Sequence, residues 1–464
     1  MLTYQDFEKV RKNPVKCAEF VEKLIGEHRG SKVTKTAHDA DEYFKQRNIT
    51  INEYVKVLYT QSGRAVQDFT ASNNRIASNF FFSFNTRRCA YSLGNGVQFE
   101  GKDVKEKMGL KFDTKLSDAA LYALIHGRSF LFWNLDHVHV FKLTEFAPLE
   151  DEYTGAMRAG VRYWQLESDK PLNVTLYEED GYTELRKMKG EKLTIIKEKQ
   201  PYKQTFAKAP ADAEETIVAG ENYAALPIVS LWGSKLHQST LVGMRGAIDA
   251  FDLIRSGFAN DLQDCAEVYW ILKNYNGMDD KDLAQFRDRL KLYHIATADT
   301  SDGGDISPHT QEIPHEARVK FLTEIRAGMY EDFGLLDLRT LSAAATNDHI
   351  DAGYQPQDDM ADDFEYQLIE AVQQLLALQG IKDTPKFKRG RVSNLKEQVE
   401  ILVMEAGMVD LPDEVLIEKF PNFTPEEVAK IIDMVLEENA GRVTREPEEG
   451  DQGDEEDGPQ DGDA

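Results

Sequence analysis

The sequence predicts an α+β fold, and three features carry that prediction. The first is a long two-faced helix over residues 239–266, where Leu241, Met244, Ile248, Phe251, Ile254, Phe258, Leu262 and Cys265 recur every three or four positions. The second is a stretch of alternating apolar and polar residues between positions 128 and 230, the pattern of strands with one buried face. The third is a set of helical periods after residue 391. With 464 residues, 41% of them hydrophobic, and 24 phenylalanines, the chain can bury a substantial core and form two or three domains.

Taken in order, residues 1–30 read as a helix on Phe7, Val10, Val15, Phe20 and Leu24, and Ile49 opens another. Residues 73–84 (NNRIASNFFFSF) read as a dense helical segment, and the Leu93-Gly94-Asn95-Gly96 break as a turn into a strand. A helix then runs to His126-Gly127, where glycine is the expected stop. The strands that follow include 141–143, 161–164, 174–177 and 193–197, with residues 187–220 as a surface excursion.

The helix at 239–266 would be roughly 40 Å long at 1.5 Å per residue. Opposite its apolar stripe lie Arg245, Asp249, Asp252, Ser256, Asn260 and Gln263. Gly243, Gly246 and Gly257 each weaken it by on the order of 1 kcal/mol against alanine, so close approach of another backbone is expected there. Next comes a small α/β unit: a strand at 268–272, a helix from the Asp279 cap to about 291, a strand at 292–296 and the loop SDGGDISP. Pro314 opens a second helix with Val319, Leu322, Ile325 and Met329 on one side. Residues 335–353 are small, polar and irregular. A helix over 362–379 turns Phe364, Leu368, Ile369, Val372 and Leu375 inward. In the C-terminal section Ser393, Asp413 and Thr424-Pro425-Glu426-Glu427 are helix starts, and a disordered acidic tail is expected after Arg445.

Charge narrows the function. The formal net charge is −26, and the tail supplies ten of the acids with no base, so the body without it still carries −16. Such a surface does not hold nucleic acid broadly, because phosphate attraction needs Lys and Arg. Like charge does suit a wall past which DNA must slide without sticking. No apolar run is long enough for a membrane span, and the first residues show no signal segment, so a soluble, non-secreted protein with no membrane partner is expected. Cys17, Cys89 and Cys265 stand far apart, which fits buried thiols in a reducing compartment.

Catalytic chemistry is not legible. No Walker-type phosphate loop occurs; Gly101-Lys102-Asp103 lacks both the preceding glycine and the following hydroxyl. His137 and His139 share a strand face but have no third ligand nearby, and Asp348-His349-Ile350-Asp351 sits among loop-forming residues. No cofactor and no enzyme activity are expected. A basic cluster, Lys386, Lys388, Arg389 and Arg391, reads either as a solvated linker or as a contact for an acidic neighbour or phosphate.

One family matches the order of these features. A proline-hydrophobic strand is followed by Ala247-Ile248-Asp249-Ala250-Phe251-Asp252 and then by Ser256, Asn260, Asp261, Leu262 and Asp264; upstream stand Tyr91, Gly94, Val97 and Phe99. The chain resembles the portal proteins of tailed bacteriophages, the head-to-tail connectors, over about residues 50 to 380. The resemblance implies a portal-like subunit: N-terminal helices and a mixed α/β wing (1–230), stem helix 1 (231–266), a small α/β clip (267–312), stem helix 2 (313–334), a tunnel loop (335–353), a wing or channel helix (354–390), a helical crown (391–445) and the acidic tail (446–464). It implies a homo-oligomeric ring, typically of twelve subunits, at one capsid vertex of the virion, assembled in the host bacterial cytoplasm. That ring would dock the terminase large subunit for packaging, contact capsid and scaffolding proteins, pass double-stranded DNA without sequence specificity, and later bind head-completion proteins for ejection.

Site assignments follow from the same resemblance. Thr340, Ser342, Ala343, Ala344, Asn347 and His349 fall in the tunnel loop near DNA, where Ser342-Ala343-Ala344-Ala345 partly matches the family's small-residue run. The stripe Arg245, Asp249, Asp252, Ser256, Asn260 would line the pore or meet the next subunit; Gly243, Gly246 and Gly257 would permit close packing; and Lys386, Lys388, Arg389 and Arg391 are candidate phosphate contacts. The rival readings are a viral DNA-processing enzyme such as a nuclease, and a structural adaptor without a channel.

Overall fold

The computed structural model describes residues 2–59, 63–68, 72–101, 103–206, 217–264, 269–273, 305–309, 315–337 and 347–391, with isolated positions at 281–282, 285, 339, 402–404, 417, 428 and 430–436. The chain divides into two compact units, Met1–Leu338 with Tyr354–Arg391, and Arg339–Gly353 with Val392–Ala464. Within the second, the described positions 402–404 and 431–436 are helical.

The first unit opens with four helices: α1 (Tyr4–Glu8), α2 (Pro14–Gly30), α3 (Lys32–Phe44) and α4 (Ile49–Glu53). The single helix expected over residues 1–30 is broken at Asn13-Pro14. Proline cannot donate within a helix but suits its first turn, and the Asn13 side chain accepts the amides of Val15 and Lys16. Then come β1 (Val57–Tyr59), β2 (Ala65–Gln67), α5 (Phe80–Leu93), β3 (Val97–Gln98), α6 (Val104–Lys107) and α7 (Phe112–His126). As expected, α7 stops at Gly127, whose φ of 90° is left-handed, a region glycine enters without a Cβ clash.

The β region forms two principal sheets. Strands β4 (Arg128–Asn134) and β5 (His137–Lys142) pair with β13 (Ile228–Trp232) in the order β13-β4-β5. Strands β6 (Phe146–Glu150), β7 (Met157–Trp164), β8 (Leu172–Glu178), β9 (Gly181–Lys187) and β10 (Thr194–Gln200) form an antiparallel sheet in sequential order. The expected surface excursion is partly regular: besides β10 it contains β11 (Lys203–Phe206) and β12 (Ile217–Glu221), paired as a hairpin. Helix α2 covers the five-stranded sheet, where Phe20, Val21, Leu24 and Ile25 pack with Val161, Val174, Leu176 and Leu185.

After β13 runs α8 (Leu241–Asp264), 24 residues long and close to the expected span. Strands β14 (Tyr269–Lys273) and β15 (Asp305–His309) then pair antiparallel, so the expected loop SDGGDISP ends in strand. Helix α9 (His315–Asp332) returns along α8: Phe258 and Asp261 meet His315 and Arg318 at one end, and Met244 and Ile248 share a core with Met329 and Tyr330 at the other. Helix α10 (Asn347–Leu378) begins 15 residues before the sequence reading put it and carries Pro356 inside. Its Phe364, Leu368, Val372 and Leu375 join α7 and the three-stranded sheet in the largest core. Strand β16 (Lys386–Phe387) closes against β3.

The largest correction concerns residues 72–79. They carry no helix; only from Phe80 onward does the expected helical segment form, as α5. The aromatic run FFFSF supplies the buried contacts, with Phe84 packed 4.8 Å from Tyr330 and 5.3 Å from Phe333, whereas NNRIASN has few apolar residues to anchor a helix.

Candidate functional site

The polar stripe of α8 finds its partners within the subunit. Stripe residues three and four apart share one helix face, so a single covering layer can reach all of them. Arg245 pairs with Asp39 of α3 at 2.8 Å. Asp249 accepts from the Tyr43 hydroxyl at 2.6 Å and from Thr50 at 2.8 Å. Asp252 is fully buried and accepts from Asn48 Nδ2 at 2.8 Å and from the Ser78 amide at 2.9 Å. The Ile76 amide donates to Ser256 Oγ at 3.0 Å, and the Asn74 amide to Asn260 Oδ1 at 2.5 Å. Asn74 Nδ2 adds a bond to Gln263 at 2.9 Å.

Residues 74, 76 and 78 therefore meet residues 260, 256 and 252, a strap running antiparallel to the helix. The registers match for a geometric reason: two extended residues advance roughly 6.6 Å, and four helical residues about 6 Å. Alternate amides of the strap face the helix and are satisfied by its side chains, so neither a strand partner nor a helix is needed there. This accounts for the spacing Asp252, Ser256, Asn260 in the sequence. The destinations expected for the stripe, pore or neighbouring subunit, give way at Asp252, Ser256 and Asn260 to burial against the chain's own strap.

Electrostatics follow from this burial. Asp252 has its pKa raised above 3.8 because its carboxyl is desolvated, an effect larger than the lowering by Asn48 and Ser78. Burial and the bond to Asp249 push the Tyr43 hydroxyl up to about 12, so it donates at neutral pH. Asn48 serves twice, its Oδ1 capping α4 at the Ile51 amide and its Nδ2 held to Asp252.

The three glycines of α8 behave otherwise than expected within the subunit. Among the described residues, no atom outside their own helical turns lies within 4 Å of a Cβ built at Gly243, Gly246 or Gly257. Gly257 instead lines an open groove of about 550 Å³ between α8 and α9, with Ile51, Tyr54, Leu253, Ile254 and Phe321.

The basic cluster is also committed locally. Arg389 binds Asp358 at 3.0 Å, Glu365 at 2.8 Å and Asp362, all on α10. Arg391 binds Asp358 and donates to the Tyr91 hydroxyl at 3.1 Å. Lys386 pairs with Glu100 at 2.9 Å, and Lys388 offers its carbonyl to Asn95. The bonds to Glu365 and Asp362, outweighing burial, hold the Arg389 pKa well above its ordinary value. Arg389 and Arg391, candidate phosphate contacts, are paired with α10 carboxylates, a pairing the sequence hides because the partners lie 24 to 33 positions away.

His137 and His139 do lie on one strand face, Nε2 to Nε2 at 2.9 Å, and His137 Nδ1 contacts Asp136 at 2.6 Å. Among the described residues no group of three or more His, Cys, Asp or Glu is placed to hold a metal ion, and no helix is long and apolar enough to cross a membrane. Of the tunnel-loop candidates, Thr340, Ser342, Ala343 and Ala344 lie outside the described residues, and Asn347 and His349 fall in the first turn of α10.

Comparison with known proteins adds an independent line. A family model for phage portal proteins of the SPP1 Gp6-like type matches residues 34–441. A portal protein of Clostridium phage phiCD119 is 24% identical over 314 residues, which is 63% of this chain and 66% of that protein. A portal protein of Bacillus phage SPP1 is 22% identical over 332 residues, 68% of this chain and 63% of that protein. The chain's match thus spans just under two thirds of each relative's length.

Proposed function

The chain belongs to the SPP1 Gp6-like family of phage portal proteins, and from that premise we propose that it assembles into a ring that conducts DNA at one vertex of a phage capsid. The observation that carries the reading is the family match over residues 34–441. The antiparallel pair α8 and α9, with the paired strands β14 and β15 between them, supports it, because this is the order expected for stem, clip and stem. In this reading residues 231–266 and 313–334 form the stem, 267–312 the clip, 335–353 the tunnel loop, 1–230 and 354–390 the wing, and 391–445 the crown. The clip docks the terminase motor during packaging, and head-completion proteins bind afterwards.

The work of such a protein is binding and gating rather than bond chemistry. Its acidic body suits a channel wall, since a net charge of −26 gives DNA little to adhere to. The commitment of Arg389 and Arg391 to α10 carboxylates removes two cations from contact with phosphate, in keeping with a duplex that slides. Negative-stain imaging of the purified protein tests the reading. Rings with a central hole wide enough for a duplex are expected; a strictly monomeric protein at every concentration overturns it.

A further inference from the structure

Strands β4 and β5 join through a two-residue turn, Leu135-Asp136, with Asn134 opposite His137 and Phe132 opposite His139. The turn is fixed from two sides. The Leu135 amide donates to the Tyr223 hydroxyl at 3.0 Å, and the Asp136 carbonyl oxygen lies where a Cβ on Gly109 would meet it at 2.8 Å. Residues two apart on a strand share a face, so β5 carries His137 and His139 side by side, both exposed. Their Nε2 atoms are 2.9 Å apart and their ring centres 4.6 Å. The Nε2 ends are thus nearer to each other than the centres are, and the two rings lean together.

Protonation is set by the neighbours. Asp136 is a carboxylate, its pKa lowered first by the bond from His137, and a carboxylate only accepts. His137 Nδ1, 2.6 Å away, therefore carries the ring proton, and its Nε2 keeps a lone pair. Burial, then His137, Arg162 and Lys115, lower the His139 pKa below 6.5, so that ring is also neutral at neutral pH. Two neutral imidazoles at this spacing are bridged by a proton or by a metal ion in its place. With bonds of about 2.0 Å, ligand nitrogens at right angles stand about 2.8 Å apart, and tetrahedral ones about 3.3 Å. The observed 2.9 Å falls at the first value, the square-planar preference of copper(II) and nickel(II). Asp136 supplies what metal-bound histidines use, a carboxylate on the far nitrogen that fixes the ring and raises its basicity.

We propose that His137 and His139 chelate a square-planar divalent transition-metal ion, copper(II) above all, with Asp136 orienting His137 and water in the remaining positions. On binding, the His139 proton moves from Nε2 to Nδ1, so both lone pairs face the ion and no net proton is released. Among the described residues no third His, Cys, Asp or Glu joins the pair, so the site is an open chelate and not a closed four-ligand cage. The proposal is independent of the ring reading.

Titration of the full-length, untagged protein with copper(II) sulfate at neutral pH tests it, read by calorimetry and electron spin resonance. One ion per chain is expected in the tightest event, with two imidazole nitrogens in its equatorial plane. His137→Ala and His139→Ala should each weaken that event at least about tenfold, and Asp136→Asn about tenfold, all with unchanged far-ultraviolet spectra. Full affinity in either alanine variant overturns the proposal and places the ion elsewhere among the ten histidines of the chain. A wild type that binds no copper also overturns it and leaves the pair a hydrogen bond. Tighter binding of zinc than of copper overturns the square-planar assignment, and full affinity in Asp136→Asn overturns the orienting role of that carboxylate.

Discussion

Asp252→Ala probes the strap most directly. The substitution strands two buried donors, Asn48 Nδ2 and the Ser78 amide. Each unsatisfied buried donor costs about 1–3 kcal/mol, and removing a desolvated carboxylate returns part of that. A net loss of about 2 kcal/mol in strap opening follows, equal to roughly 30-fold faster exchange at one decade per 1.4 kcal/mol. The assay is peptide-resolved hydrogen exchange over residues 72–80, with α7 as the internal control. Ser256→Ala, which removes only the acceptor of Ile76, should accelerate the same peptide about fivefold, a loss of about 1 kcal/mol. Equal exchange in wild type and Asp252→Ala, or equal acceleration in α7, refutes the strap as a local clamp.

Acidity should move two parts of the first unit in opposite directions. The Asp252 pKa is raised in the fold, so its contribution is fully present below 3.8 and is lost as pH rises through the raised value. The Asp358 pKa is lowered, since bonds from Tyr91, Arg391 and Arg389 outweigh its burial; its contribution is present above 3.8 and is lost as pH falls through the lowered value. Exchange corrected for intrinsic rates should therefore slow in the strap and quicken at 386–391 on acidification; the same direction in both contradicts these environments. Arg389→Ala should cost about 2 kcal/mol in chemical denaturation, between exposed and buried pairs, and Arg389→Lys should recover less than half because lysine lacks the planar fork. Gly246→Ala should raise helix stability by about 1 kcal/mol, since nothing among the described residues meets its Cβ; Gly246→Val should impair ring formation in sedimentation if a neighbouring subunit packs there, and unaltered rings count against that packing. Substitutions across 342–347 should block DNA packaging in vitro while rings persist; loss of folding instead would mark that segment as core.

Much of the architecture was legible because it depends on periods read over short windows. The α7 stop at Gly127, the span of α8, the strands at 161–164 and 174–177 and the α9 start after Pro314 all follow from apolar spacing and terminal signals. The same local rules misjudged residues 73–79, because asparagines and an arginine beside FFFSF look like the first turns of its helix. They also missed the early start of α10, where Pro356 lies inside the helix. The candidate site was legible in its residues and not in its partners.

By itself the sequence determined the two faces of α8, the second helix that answers it after Pro314, the acidity, and the motifs shared with portal proteins. Only the tertiary structure decided what the polar face meets. Asp252, Ser256 and Asn260 lie 174 to 186 positions from the strap amides that they bind. No periodicity within either segment encodes that pairing. It exists because an extended strap and a helix advance by nearly equal steps once the fold has laid one along the other.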